Sequence, residues 1–137
     1  MEIALVTSGG RGVKIHTACT GRGAYVRQNG PPGRCGVVEL ILEPGESPYA
    51  ACTLSWEVTE AQIPVRFLDA VISSIKHVLA EEAFDGDFLS GCRIRVVDGT
   101  YHQTDSKVTC YQVATVLAMR DALRAAGLYP PEAPEQP

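Results

Sequence analysis

The fold is decided by residues 96–106, which read Val-Val-Asp-Gly-Thr-Tyr-His-Gln-Thr-Asp-Ser and lie between an alternating pattern and a long helical one. The pair Asp98-Gly99 is typical of a turn. The stretch therefore predicts a short strand-to-helix loop that displays Tyr101 and His102 at one end of the domain. Loops held on a rigid strand–helix frame often carry a protein's contacts.

The helix after this stretch is predicted to run from about Ser106 to Ala126. Thr104 or Asp105 offers a side-chain oxygen that could cap its free N–H groups, and Gly127 is a usual residue to follow a helix end. The helix is apolar nearly all round, which predicts deep packing on every side. Its apolar positions are Val108, Cys110, Val113, Val116, Leu117, Met119 and Leu123.

The rest of the chain reads as strands, one helix and a further strand. Strands are predicted at the N-terminus (1–6), at about 13–17, at 24–28 and 36–43 around a Gly/Pro loop, at 50–59 and at 92–97. At 50–59, Cys52, Leu54 and Trp56 point one way and the polar residues between them point to water. A helix with one apolar stripe is predicted from Pro64 to just before Asp85-Gly86.

This order predicts an α+β fold, a two-layer sandwich of a mostly antiparallel sheet with two helices on one face, in the order β-β-β-α-β-α. At 137 residues, we expect one domain, residues 1–128, and a disordered Pro/Glu-rich tail, residues 129–137. No apolar run approaches the roughly 20 residues of a membrane helix. The N-terminus lacks the basic head of a signal peptide, so the sequence predicts a cytoplasmic protein. Five cysteines without a Cys-x-x-Cys spacing predict free, mostly buried thiols.

Two segments of the chain resemble a known family. Residues 86–106 resemble, without gaps, the end of domain IV of elongation factor G, the ribosomal translocase, whose Asp-Gly-Ser-Tyr-His run is followed by Asp-Ser. Residues 27–38 are similar to a family loop of the same length. The resemblance covers roughly residues 13–126. The matching residues are Asp98, Gly99, Tyr101, His102, Asp105 and Ser106, then Gln28, Gly30, Gly33 and Gly36; Pro31, Pro32, Arg34 and Cys35 depart from the family pattern.

The resemblance implies the fold that domain IV shares with a ribosomal protein (S5 domain 2-like), including a left-handed crossover. It also implies that the loop at 29–35 and the loop at 99–105 lie side by side at one tip. In the family, the histidine matched by His102 reaches the decoding centre and touches the tRNA–mRNA pairing. The residues that we expect to bind RNA are Arg27, Gln28, Gly30, Gly33, Arg34, Tyr101, His102, Asp105 and Ser106. Arg34 departs from the family pattern and is included for its positive charge. We expect Tyr101 to pack under the loop rather than stack on RNA.

Charge is unevenly distributed along the chain, whose net charge is −4. Up to Val38 there are five basic residues and one acidic residue, a balance of +4, and the remainder holds seven basic and fifteen acidic residues, a balance of −8. A basic tip on an acidic body would approach RNA phosphates with one end only. The alternative is an ordinary solvated surface, because strong nucleic-acid binders are usually basic overall.

Motifs for catalysis are weak. There is no Gly-x-x-x-x-Gly-Lys-[Ser/Thr] phosphate loop, and the glycine-rich segments 9–12 and 21–23 are not followed by a helical pattern, so they indicate turns. We therefore expect no GTPase activity, no enzyme and no cofactor. We also expect no metal, because strand alternation would place His16 and Cys19 on opposite faces. A nucleophilic Cys35 beside His102 stays a weak alternative.

Two function classes remain open on the sequence. The first is a stand-alone, domain IV-like protein associated with the ribosome or RNA through its two tip loops. The second is a protein-interaction or assembly module that kept the fold and lost RNA binding. The sheet face opposite the helices could dock a protein partner or a second copy, and the polar residues predicted to line it are Lys14, Glu39, Ser55, Glu57, Arg93 and Arg95. No oligomeric state follows from the sequence.

Overall fold

The structure, a computed structural model, describes residues 2–5, 12–27, 34–45, 52–82 and 88–129. Its elements in chain order are β1 (Glu2–Leu5), β2 (Gly12–Lys14), β3 (Cys19–Arg27), β4 (Arg34–Pro44), β5 (Cys52–Trp56), α1 (Leu68–His77), β6 (Phe88–Ser90), β7 (Cys92–Thr100) and α2 (Val108–Ala125). A 3₁₀ turn at Val65–Phe67 leads into α1, and a π-helical turn at Val78–Glu82 follows it. Within the described residues, no helix is both long and apolar enough to cross a lipid bilayer.

Five strands form one mixed sheet in the order β1-β5-β7-β4-β3. All neighbours in it are antiparallel except β5 and β7, which are parallel and are connected through α1. The predicted α+β fold with a mostly antiparallel sheet and two helices is confirmed. The sequence did not predict the small second sheet, in which β2 pairs in parallel with β6. The strand predicted at 13–17 corresponds to β2, which is shorter and covers only Gly12–Lys14.

The contact between α2 and β3 depends on two glycines. A Cβ on Gly23 would lie 1.9 Å from the Ala114 carbonyl oxygen, and one on Gly21 would lie 2.1 Å from that of Ala118. The segment 21–23 is thus not a turn, as its glycines suggested, but the middle of a strand on which a helix lies backbone to backbone. Small side chains on α2 make the same approach possible from the other side.

The core lies between the sheet and the two helices. The predicted apolar stripe of the first helix is confirmed. In α1 and the turns on either side of it, the buried residues of the stripe include Phe67, Val71, Ile75, Val78 and Leu79. The largest fully buried side chains are Leu5, Leu40, Leu42, Leu54, Ile63, Ile75, Leu79, Leu89, Ile94, Tyr111, Met119 and Leu123. All five cysteines are free thiols, and Cys52, Cys92 and Cys110 are buried, as expected.

Helix α2 differs from its prediction at both its start and its outer side. It begins at Val108, and its end matches the prediction: Gly127 has φ +74°, and the Leu128 N–H donates to the Leu123 carbonyl at 2.8 Å, which is a Schellman turn. The expectation of packing on every side is wrong, because Val113 and Leu117 are 38% and 37% exposed. A helix in the outer layer of a two-layer fold meets the sheet with one side only.

Several smaller expectations also changed. In β5, the inward residues Cys52, Leu54 and Trp56 are buried as predicted, but Ser55, expected to be wet, is only 4% exposed. Tyr129, placed by the sequence in the tail, is half-buried, and the Arg124 guanidinium lies 5.2 Å from its ring. The end of the first helix near Asp85-Gly86 and the tail from residue 130 lie outside the described residues.

Candidate nucleic-acid interface

Strand β7 is longer than predicted and passes through Asp98-Gly99. Asp98 pairs with Glu39 and Gly99 pairs with Val38 of β4, so the turn predicted at these two residues is wrong. Between the pairs Glu39–Asp98 and Leu40–Val96 the register shifts by one residue, which makes Val97 the extra residue of a β-bulge. Bulges bend a strand and increase its twist. This one lies three residues before β7 ends at Thr100, where the loop to α2 follows.

The glycine at 99 serves close packing rather than a turn. A Cβ at Gly99 would lie 2.3 Å from Ile63 Cγ1 and 2.8 Å from the Val37 carbonyl oxygen. The Asp98 carboxylate accepts hydrogen bonds from Gln62 Nε2 at 3.0 Å and from the Gly99 N–H at 2.8 Å. Gln62 and Ile63 both belong to the segment before α1. The dipeptide Asp98-Gly99, which usually marks a turn, therefore joins two distant parts of the chain here.

Residues 101–107, which we call the recognition loop, are held at both ends. The Tyr111 hydroxyl donates to the Thr100 carbonyl at 2.7 Å, and burial raises the pKa of Tyr111 to about 12, which keeps that hydroxyl protonated. The Ser106 hydroxyl accepts the His102 N–H at 2.8 Å, and the Ser106 N–H donates to the His102 carbonyl at 2.9 Å. The loop therefore has a defined shape before it meets any ligand.

The ring of His102 is fixed within this loop. Its Nδ1 accepts the Asp105 N–H at 3.2 Å and lies 3.1 Å from Thr104 Oγ1. A backbone N–H can only donate, so the neutral ring carries its proton on Nε2. The side chain is 56% exposed. Hence one nitrogen orients the ring and the other keeps a donor for a ligand.

The bonds of Thr104 and Asp105 also explain why the predicted helix cap is wrong. The side chain of Thr104 bonds to His102 and to Asp105 Oδ1, and neither residue caps α2. The residue at the cap position is Lys107, in extended conformation and without a side-chain cap bond. The helix consequently starts two residues later than expected, at Val108.

The end of the β3–β4 hairpin lies against the recognition loop. Arg27 pairs with Arg34 at this end of the two strands. The next residue, Cys35, donates its N–H to the Asp105 carbonyl at 3.2 Å, and its own carbonyl accepts the Ser106 hydroxyl at 2.7 Å. The predicted site residues Gln28, Gly30 and Gly33 lie outside the described residues. We call the recognition loop together with Arg27, Arg34 and Cys35 the tip.

Tyr101 packs beneath the loop, as the sequence led us to expect. It is half-buried, and its ring lies 6.2 Å from that of Phe67, which in turn lies 4.6 Å from the ring of Tyr111. Arg66 Nη2 donates to the Tyr101 hydroxyl at 2.9 Å. Sequence reasoning missed Arg66, and no local pattern could have found it, because its partner is 35 residues away in the chain.

Cys35 does not have the environment of a nucleophile. Burial and the neighbouring Cys110 raise the pKa of its thiol, against an opposing hydrogen bond from Ser106. A reactive cysteine needs the opposite shift, toward thiolate at neutral pH. The contacts of the His102 ring go to Thr104 and Asp105 rather than to this thiol. The chemistry available at the tip is therefore hydrogen bonding, stacking and charge.

The sheet face opposite the helices carries ion pairs, which the sequence did not predict. Arg95 forms a bidentate hydrogen bond with Glu57 at 2.8 and 2.9 Å, and this hydrogen bond lowers the pKa of Glu57 to about 2. Arg93 bonds to Glu2 at 2.9 Å and to Ser55 at 3.5 Å. Lys14 belongs to β2 in the small sheet and not to this face. These charges largely satisfy one another within the molecule.

A cleft of about 730 Å³ lies at the end of the molecule opposite the tip, where β3 begins and α2 ends. Its walls include both His16 and Cys19, which the sequence considered as metal ligands. Among the residues that the structure describes, no group of three or more His, Cys, Asp or Glu side chains could hold a metal ion. The cleft and the tip are thus separate features.

The mixed sheet and the two helices packed on it define an α+β domain. The sequence profile of domain IV of elongation factor G matches residues 13–127, and the chain belongs to this family. Domain IV is a non-catalytic domain of that factor.

Individual relatives agree with this assignment. The chain is 32% identical to elongation factor G 1 of Syntrophomonas wolfei over 102 residues, which is 74% of this chain and 15% of the relative. It is 29% identical to elongation factor G 2 of Streptomyces coelicolor over 110 residues, covering 76% of this chain and 16% of the relative. A crystal structure of a Thermus thermophilus protein superposes with a TM-score of 0.69 at 29% identity, over 82% of this chain and 16% of the other. The chain thus spans about a sixth of the length of these proteins.

Proposed function

We propose that this chain binds RNA of the ribosome through its tip and does not hydrolyse GTP. The observation that supports this most is a pair of hydrogen bonds at Cys35, whose N–H donates to the Asp105 carbonyl and whose carbonyl accepts the Ser106 hydroxyl. These bonds bring the end of the β3–β4 hairpin and the recognition loop into one surface. The resemblance to domain IV of elongation factor G assigns RNA contact to the same two loops.

The chemistry of the tip suits RNA. The exposed ring of His102 is held in one orientation and keeps Nε2–H as a donor for a phosphate or base oxygen. An imidazole ring can also stack on an RNA base. Two basic residues, Arg27 and Arg34, pair with each other in the backbone register at the same end of the sheet. Lys107 adds a third at the far side of the recognition loop. Basic groups collected at one end of an acidic chain favour approach by that end.

The other parts of the proposal follow from the sequence. The segment 1–128 acts as one domain with Tyr129 packed against it, residues 130–137 form a tail, and the protein acts in the cytoplasm, where ribosomes are. The described residues offer no acid–base or nucleophilic constellation at the tip, since the Cys35 thiol is kept protonated.

Co-sedimentation with purified bacterial ribosomes at low and high KCl tests the proposal. We expect binding that weakens as salt rises, because phosphate contacts release counterions. Arg34→Glu and His102→Ala should each weaken it while the fold is kept, since substitutions away from the core usually cost within about 0.5 kcal/mol. Lys76→Glu is the control, because it reverses a charge at the other end of α1. Absence of binding at low salt would refute the proposal.

A second candidate function, contact with a protein, is favoured by one observation. Val113, Val116 and Leu117 form an apolar stripe on the outer side of α2 that lines a shallow groove of about 310 Å³ with Gln112 and Arg120. Leu117→Glu separates the two candidates. It should leave ribosome binding unchanged if the tip makes the contact, and should abolish it if α2 docks on a ribosomal protein.

A further inference from the structure

Arg66 lies beside the recognition loop, although nothing in the chain's local pattern marks it. It is exposed, in the 3₁₀ turn that leads into α1. Its guanidinium lies 4.8 Å from the centre of the Phe67 ring and 5.4 Å from that of Tyr101. Nη2 donates to the Tyr101 hydroxyl at 2.9 Å. A flexible side chain is thereby held in one place, against the residue that directly precedes His102.

The charge of Arg66 is not neutralised by an ion pair within the described part of the chain. Its contacts there are the Tyr101 hydroxyl and the two aromatic rings. Two carboxylates from the neighbouring segments are occupied elsewhere: Glu60 accepts the Val65 N–H at 2.6 Å, and Asp98 accepts from Gln62 and Gly99. A guanidinium has five N–H donors, of which Tyr101 takes one. Donors therefore remain for an external anion.

We propose that Arg66 is a further contact of the tip and binds a phosphate group of the RNA that the tip engages. This inference rests on the proposed function, since it concerns the same ligand. The guanidinium is planar and presents paired donors that match phosphate geometry, and stacking on Phe67 and Tyr101 fixes the plane in which those donors lie. Tyr101 is then a positioning residue, which aims Arg66 without touching RNA.

The salt dependence of binding separates a phosphate contact from a structural role. A protein that loses one phosphate contact binds more weakly and its slope of log affinity against log salt falls by about one. A side chain that only supports the loop alters affinity without removing a charge from the interface. The experiment is therefore a salt titration of ribosome co-sedimentation with four variants, each checked for folding by circular dichroism.

Arg66→Gln removes the charge but keeps a donor for Tyr101, and Arg66→Lys keeps the charge but loses the planar fork. We expect Arg66→Gln to weaken binding about 3- to 10-fold at low salt and to lower the slope by about one. Arg66→Lys should keep the slope and lose part of the affinity. Tyr101→Phe should also weaken binding with the slope kept. Lys76→Gln, the same charge loss about 15 Å along α1, should alter neither.

Three results would overturn the inference. An Arg66→Gln variant that binds like the wild type, or one that binds more weakly with an unchanged slope, would show that no phosphate contact is made. The same slope loss in Lys76→Gln would show that only the overall charge matters. In each of these cases the wild type still binds, and the proposed function stands. If the wild type itself does not bind, the proposed function fails and this inference fails with it.

Discussion

Ser106 shows how single residues build the tip. Its hydroxyl joins separate segments, since it accepts the His102 N–H and donates to the carbonyl of Cys35 in β4. From the sequence it was identifiable as part of the family's motif but not as a link to the hairpin. The same limit applies to Asp98-Gly99, where the local rule for turns predicted the wrong structure. Such rules consider only neighbouring residues, whereas Gln62 and Ile63, the partners of Asp98 and Gly99, lie 36 residues away in the chain.

Ser106→Ala should destabilise the tip by removing both bonds at once. It leaves the His102 N–H and the Cys35 carbonyl without their partner, and we expect the free energy of unfolding to fall by about 1–3 kcal/mol. Amide hydrogen exchange at His102 should become faster. Ser73→Ala is the matched control, since that hydroxyl makes one local bond to the Ala70 carbonyl. Equal losses in the two variants would contradict the role given to Ser106.

The pair Glu57–Arg95 makes a prediction about acid stability. Because Arg95 lowers the pKa of Glu57 from 4.5 to about 2, the pair stabilises the fold above pH 4.5, and this contribution is lost as the pH falls toward 2. The pair lies at the surface, so water screens it and the contribution should be small. An NMR titration of the Glu57 carboxyl measures the pKa directly. In Arg95→Gln the midpoint should move back toward 4.5, and a midpoint that stays near 2 would disprove the assigned cause.

At the scale of elements, hydrophobic periodicity predicted which segments become helices and strands, but not how closely they approach. The stripe of α1 and the Gly127 end of α2 were readable, because both depend on neighbours within a few turns. The segment 21–23 was misread as a turn. Its glycines are explained by α2, nearly 100 residues further along the chain, and composition alone cannot show such a contact. For the same reason, the outer side of α2 could not be distinguished from its inner side.

Gly23→Ala tests the close approach of β3 and α2. The new Cβ would meet the Ala114 carbonyl at 1.9 Å, and this obstacle is backbone that cannot rotate away. We expect a loss of about 3 kcal/mol or more in the free energy of unfolding, at the high end for overpacking. Ala24→Ser on the exposed side of the same strand should cost no more than about 0.5 kcal/mol. Urea unfolding of the two variants gives the comparison, and similar midpoints would contradict the proposed packing.

For the whole molecule, the order of elements along the chain predicted the α+β class. The order of the strands within the sheet could not be predicted from the sequence. The parallel pair β5–β7 and the position of β1 at the sheet edge depend on contacts between distant segments. One consequence of this topology is functional. β3 and β7 end at the tip, where β4, α1 and α2 begin, so residues far apart in sequence meet there. The candidate site is therefore a property of the fold, and Arg66 joins it only through that fold.

The boundary of the domain gives the last prediction. The composition of residues 130–137 predicts a tail that adds nothing to the core, so a chain ending at Tyr129 should unfold at the same urea concentration as the full chain. A chain ending at Ala125 loses Gly127 and Leu128, which form the turn that closes α2, and should lose about 1–3 kcal/mol. Trp56, the single tryptophan, is 8% exposed, so its fluorescence reports the core. For one domain, fluorescence and far-ultraviolet circular dichroism should give coincident transitions. Separate transitions would contradict a single cooperative domain. A lower midpoint after removal of residues 130–137 alone would show that the unit that folds extends beyond Tyr129.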